Sequence, residues 1–267
     1  TEPPQEWPRT GNIELENYQF RYREGLPLVL NGVTAGIKDN EKIGIVGRTG
    51  SGKSTMMAGL FRIEEPAGGR ILVDGVDITS VPLKTLRTRL CILPQEATMF
   101  SGTIRENLDP TLQTKEEDMK RVLSLVNVTK DLNDPVAENG GNFSLGERQM
   151  ICMARALLRG SKVLIMDEAT ASMDIQTDIQ IQEMVRTNFK KCTVLTIAHR
   201  LHSIMDSNRV MVFDDGHLKE MDTPLNLIEA GDTIFNSLVQ KSGCAEELEQ
   251  LAKGQSSIAD TLRAKKD

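Results

Sequence analysis

The eight residues Gly47-Arg48-Thr49-Gly50-Ser51-Gly52-Lys53-Ser54 constrain this chain more than any other segment. Glycines at 47, 50 and 52 let the backbone turn successive N–H groups inward, making a concave nest for phosphate oxygens. The loop follows an apolar run, Lys42-Ile43-Gly44-Ile45-Val46, and precedes a predicted helix over residues 52–62. That context aims a helix N-terminus, with its partial positive charge, at the same nest. A glycine-rich turn carrying a surface lysine does not account for it. The expected ligand is a nucleoside triphosphate, with Lys53 on the β- and γ-phosphates and the Ser54 hydroxyl on Mg²⁺. Gly47, Arg48, Thr49, Gly50, Ser51, Gly52 and Thr55 complete the expected nucleotide contacts.

A second feature fits the first. Val163-Leu164-Ile165-Met166-Asp167-Glu168 is an apolar strand ending in two acids. Alone, it reads as a solvent-facing strand end. With a phosphate loop upstream, Asp167 is placed to hold the Mg²⁺ hydration shell and Glu168 to polarise a water toward the γ-phosphate.

The rest of the pattern sets the fold class. Residues 13–23 are strand-like, 28–37 read as a strand pair broken at Asn31-Gly32, and 71–75 and 90–93 as short strands. Residues 103–125 and 144–159 turn helical. From there strands (163–166, 193–197, 209–213) alternate with helices (175–189 and about 225–239). This predicts an α/β fold: a P-loop core with a mainly parallel sheet, an antiparallel β subdomain at the N-terminus and an inserted α-helical subdomain at about 96–159. Residues 1–11 read as a linker, 12–241 as the domain and 242–267 as a polar, frayed helical tail.

Composition narrows the partners. Lys+Arg 32 against Asp+Glu 38 gives a net charge of -6 and a pI near 5.3. An acidic domain without a basic cluster is a poor nucleic-acid binder. No apolar run approaches the ~20 residues that span a bilayer. The start carries neither an initiator Met nor an apolar leader, so the chain reads as a segment cut from something longer. Cys91, Cys152, Cys192 and Cys244 form no C-x-x-C pair, which points to reduced thiols. His199, His202 and His217 bracket no metal-ligand spacing, so metal chemistry is expected on oxygen ligands.

Taken in order, the motifs resemble the nucleotide-binding domain of ATP-binding-cassette (ABC) transporters over nearly the whole chain. The family's Q-loop glutamine matches Gln95 in Leu93-Pro94-Gln95, and its signature matches Phe143-Ser144-Leu145-Gly146-Glu147, followed by Arg148-Gln149. Its D-loop aspartate falls on Asp174 and its switch histidine on His199 in Ile197-Ala198-His199-Arg200. Trp7-Pro8, Arg21-Tyr22-Arg23 and Asn107-Leu108-Asp109-Pro110 look like the second nucleotide-binding domain of subfamily C, the multidrug-resistance-associated group.

The resemblance implies a Mg²⁺-dependent ATPase at the cytoplasmic face of a membrane, powering solute export. Its partners would be the first nucleotide-binding domain and the membrane-spanning domains of the same transporter. Tyr22 would stack on adenine, with a core-tyrosine role and Tyr18 as the alternatives. His199 would contact the γ-phosphate and Gln95 would link the metal to the membrane domain. Ser144, Gly146 and Asp174 would touch ATP held by the partner. His202, Met150, Met153 and Met166 read as structural. Two departures stand out: Leu145 replaces the signature's first glycine and Glu147 its glutamine. Ser144-x-x-Glu147 is also a capping box, which serves its own helix. An acid there repels a trans phosphate, so this signature is expected to serve a weak, slow site. Residues 127–142 look short for the subfamily. An ATP-sensing domain of a channel-type member is the alternative function; a soluble ABC ATPase fits the acidic balance less well.

Overall fold

The structure is a computed structural model and describes residues 1–48, 52–94, 97–168 and 174–265. Strand β1 (Ile13–Phe20) alternates so that Ile13, Leu15, Tyr18 and Phe20 face inward, and β2 (Leu30–Ile37) returns beside it. The apolar β3 (Lys42–Gly47) runs into the phosphate loop and α1 (Thr55–Leu60). Next come β4 (Gly68–Val73), β5 (Val76–Asp77), α2 (Leu83–Arg89) and β6 (Cys91–Leu93). The inserted part holds β7 (Gly102–Thr103), α3 (Ile104–Leu108), α4 (Glu116–Leu125), β8 (Pro135–Val136) and α5 (Leu145–Arg159). The chain then alternates β9 (Val163–Asp167), α6 (Ile175–Asn188), β10 (Thr193–Ile197), β11 (Arg209–Asp214) and β12 (His217–Asp222). Helices α7 (Pro224–Ala230), α8 (Ile234–Lys241), α9 (Ala245–Ala252) and α10 (Ile258–Ala264) follow.

Two sheets organise these elements. The N-terminal sheet is antiparallel, in the order β2-β1-β4-β5. The central sheet runs β12-β11-β3-β10-β9-β6, parallel throughout except for the antiparallel edge strand β12. Between the sheets lies a core that includes Tyr18, Phe20, Ile43, Ile45, Met211 and Phe213. A second core ties α4 and α5 to β6 and β9, and a third packs α6 and α8–α10 on β11. This is the expected architecture: an α/β core with an antiparallel subdomain and an inserted helical one.

Local chemistry explains where the elements depart from the pattern. Residues 103–125 form two helices, because Asp109 ends α3 and gathers the N–H groups of Thr111, Gln113 and Thr114 at 2.9–3.1 Å. Pro110 has no N–H to carry a helix forward. Gly231, at φ 82°, likewise divides the expected last helix into α7 and α8. Residues 28–37 contribute one strand rather than two. The strand β12 is too polar to show an apolar period; the Asp215-Gly216 turn, with both φ positive, folds it back onto β11.

Both ends are more ordered than a linker and a frayed tail. Trp7 is buried and donates its indole N–H to the Val73 carbonyl at 2.8 Å. The Asp74 carboxylate accepts from the N–H groups of Arg9, Thr10, Gly11 and Asn12 and from the Thr10 hydroxyl. Past residue 242, Leu248, Leu251, Ile258 and Leu262 are buried in the third core. Burial of that kind holds helices too short to stand alone.

Candidate functional site

Strands β3, β10 and β9 are neighbours and parallel, so their C-terminal ends open at one edge of the central sheet. Three loops meet there: the phosphate loop after β3, Asp167-Glu168 at the end of β9, and Ala198-His199-Arg200 after β10. In open α/β sheets this is where ligands bind.

Gly52 takes φ 101°, a conformation that strains any side chain, and a Cβ there would lie 2.8 Å from the Leu30 side chain. Lys53 directs its Nζ to the Ala198 carbonyl at 3.5 Å, so the loop lysine already touches the segment that carries His199. Ser54 sits at the N-cap of α1, but its hydroxyl makes no capping hydrogen bond, and Thr55 begins the helix. Gly47 closes β3, and Arg48 lies 3.9 Å from Asp214 at the end of β11. Thr49, Gly50, Ser51 and Gln95 lie outside the described residues.

The two acids have different surroundings. Asp167 faces His199, with Oδ1 3.3 Å from Nε2. Glu168 is only 3% exposed. Its Oε2 accepts the N–H groups of His199 (2.9 Å) and Arg200 (3.2 Å), and its Oε1 accepts the Ser203 hydroxyl in a short hydrogen bond. Behind it, Asp178 pairs with Arg200 at 3.1 Å. Burial, and then the Glu168 charge, push the Asp178 carboxyl up to about 6, with Arg200 opposing. Ser203 and Asp178 escape a motif reading: one is a lone hydroxyl a turn past His199, the other an acid inside a helix.

Burial separates the two tyrosines. Tyr18 is 0% exposed and its ring fills the space over Gly59, where a Cβ would lie 2.4 Å from the phenol oxygen. Tyr22 is 47% exposed, stacks edge-on against Phe20 and brings its hydroxyl 3.1 Å from Thr55 Oγ1. The exposed ring beside the phosphate-loop helix is therefore Tyr22.

The signature segment is self-capped. The Ser144 hydroxyl accepts the Glu147 N–H and the Glu147 carboxylate accepts the Ser144 N–H, each at 3.1 Å. Lys130 sits 3.7 Å from the same carboxylate. A Cβ on Gly146 would lie 2.4 Å from Thr177 Cγ2, so α5 and α6 touch where only glycine fits. Asp174 caps α6 through both the N–H and the hydroxyl of Thr177, and these bonds hold its carboxyl below the usual range. His202 is 9% exposed and faces Cys244, Glu247 and Lys265.

Comparison with known proteins agrees with this geometry. The ABC transporter family model matches residues 30–171. The chain is 50% identical over 249 residues to ATP-binding cassette sub-family C member 3 of Mus musculus, covering 91% of the chain and 16% of that protein. It is 50% identical over 234 residues to sub-family C member 2 of Homo sapiens, covering 85% of the chain and 15% of that protein. It is 48% identical over 246 residues to ABC transporter C family MRP4 of Zea mays, covering 90% and 16%. The chain thus spans about a sixth of these relatives' length. Among solved structures, a bacterial Atm1-family ABC exporter with ATP bound aligns at a TM-score of 0.80 and 29% identity, covering 91% of this chain and 44% of that one. No described helix is long and apolar enough to cross a membrane. The chain belongs to the ABC transporter family, as an ATP-binding domain similar to those of subfamily C.

Proposed function

We propose that this chain binds Mg²⁺–ATP and hydrolyses it as the second nucleotide-binding domain of a subfamily C exporter, at the cytoplasmic face of a membrane. The observation that carries this reading is the convergence of Lys53, Asp167, Glu168 and the His199 loop at the ends of three adjacent parallel strands. The residues fit the metal: Ser54 offers a hydroxyl that caps nothing and Asp167 offers a carboxylate, both hard oxygen donors. Gln95 is the third proposed ligand. Bound there, Mg²⁺ would offset charge on the phosphates.

The chain's own groups carry the remaining roles. Lys53 neutralises the β- and γ-phosphates, Tyr22 stacks on adenine and His199 contacts the γ-phosphate. Arg48, Thr49, Gly50, Ser51, Gly52 and Thr55 line the triphosphate. Glu168 accepts the proton of the attacking water. To do so its carboxylate leaves the Ser203 hydroxyl and the two N–H groups that hold it inward, which makes the lone domain slow. Ser144, Gly146 and Asp174 serve ATP held by the first nucleotide-binding domain. The Ser144–Glu147 box and the acid itself weaken that second site.

The test is steady-state turnover of this chain alone and mixed with the first nucleotide-binding domain of its own transporter. We expect Mg²⁺–ATP binding by the chain alone, slow hydrolysis, and a rise in rate with the partner. Fast turnover indifferent to the partner, or no ATP binding, would refute the proposal.

A further inference from the structure

Four residues from three separate stretches meet at the turn that follows β10. His202 lies on the 3-10 turn Leu201–Ile204. Cys244 stands at the N-cap of α9, where its side chain makes no capping hydrogen bond, and Glu247 lies in the first turn of the same helix. Lys265 follows α10. The histidine Nε2 is 3.8 Å from Cys244 Sγ and 3.3 Å from Glu247 Oε1, and the three donor atoms all lie within 4.8 Å of one another. We propose that His202, Cys244 and Glu247 form a three-ligand site for a zinc-like divalent cation that ties α9 to the turn beyond β10.

Three features support this. The first is size. Zinc–nitrogen and zinc–oxygen bonds of about 2.0–2.1 Å and a zinc–sulfur bond of about 2.3 Å, set at tetrahedral angles, give donor–donor edges of roughly 3.3–3.6 Å. The nitrogen–oxygen edge already has that length and the nitrogen–sulfur edge exceeds it by a few tenths. The second is the donor set. Imidazole, thiolate and carboxylate together suit zinc, whereas Mg²⁺ and Ca²⁺ select oxygen alone. The third is charge. The Lys265 ammonium lies 3.2 Å from His202 Nε2 and 3.6 Å from Glu247 Oε1, so a cation already stands beside two of the ligands. Its side chain is 42% exposed and can withdraw into water.

The route in is open. His202, Cys244 and Lys265 line a cleft of about 660 Å³ that also reaches Lys53 and His199. Three protein ligands leave one coordination position for water. His202 follows His199 by three residues, so a bound ion would fasten the C-terminal helices to the turn that positions the phosphate-site histidine.

The test uses the whole 267-residue chain, treated with chelator and titrated with Co²⁺. We expect one equivalent to bind, with a thiolate-to-cobalt charge-transfer band and the visible bands of a tetrahedral centre, both removed by added Zn²⁺. Cys244→Ala should abolish the charge-transfer band and weaken Zn²⁺ binding beyond the roughly 10–100-fold seen for outer-shell changes. Glu247→Gln should weaken binding without removing the band, and Lys265→Gln should tighten it by clearing a competing charge. Circular dichroism checks the fold of each variant. A parent chain that takes up no Co²⁺, or a thiolate band that survives Cys244→Ala, overturns the proposal.

Discussion

Glu168→Gln separates a catalytic carboxylate from a structural one. In the parent, Oε2 takes two backbone N–H groups and Oε1 takes the Ser203 hydroxyl. Glutamine can keep its carbonyl oxygen on the two N–H groups and turn its amide toward Ser203, whose oxygen accepts as well as donates. The exchange also removes the negative charge that helps to raise Asp178. Folding stability should therefore change by no more than about 1 kcal/mol. The amide cannot accept a proton, so hydrolysis should fall by roughly 10²–10⁴, or about 3–5 kcal/mol of barrier. Glu168→Ala is the contrast. It orphans three donors in a buried site at about 1–3 kcal/mol each, which should lower Tm by on the order of 10 °C. Single-turnover hydrolysis, equilibrium ATP binding and thermal melting on the same preparations give the answer. Parent-like hydrolysis by Glu168→Gln, or a melt as low as that of Glu168→Ala, would refute the reasoning.

Tyr22→Ala should weaken ATP binding by about 1–3 kcal/mol of lost stacking and leave inorganic triphosphate binding unchanged. Equal losses in a competition titration would return Tyr22 to a structural role. Asp74→Asn should destabilise the chain by about 1–2 kcal/mol at neutral pH, since water replaces part of what the clamp on residues 9–12 loses. Burial works to raise the Asp74 carboxyl, but the bonds from Thr10, Asn12 and Gly11 outweigh it and hold it low. The parent's advantage is therefore full above the unfolded carboxyl range near pH 4 and fades as pH falls through the depressed value; denaturant melts at pH 7 and pH 3 should show it. Ser144→Ala removes the α5 cap and should cost about 1 kcal/mol by thermal melting.

The P-loop, the two acids and the alternation of β9, α6 and β10 were readable because each is local: a motif of eight residues, or one apolar run with a clear boundary. The parts that escaped depend on distance. Nothing near residues 7–12 in sequence announces Val73 as the anchor of Trp7, or Asp74 as the anchor of Arg9 and Thr10, each more than sixty residues away. Leu248, Leu251, Ile258 and Leu262 sit in a polar stretch whose average hides them. The polar strand β12 is specified by its turn and its neighbour rather than by its own residues. At the site, Lys53, Asp167 and His199 follow from motifs. The inward hold on Glu168 by Ser203 follows only from how the turn after β10 packs.

The strand order has a consequence for synthesis. In the finished sheet β3 lies between β10 and β11, so the strand that ends in the phosphate loop meets its neighbours only roughly 150 residues after it is made. At about 5–20 residues per second, that is roughly 8–30 s on the ribosome with both edges unpaired. Such a strand is an invitation to wrong pairing. The antiparallel sheet, whose last strand ends at Asp77, supplies an early shelter: Ile43 and Ile45 share a core with Ile13, Leu15, Ile71 and Val73. Substitutions that loosen that small sheet are therefore expected to cut the yield of soluble nascent chain well before they alter the affinity of the folded domain for ATP.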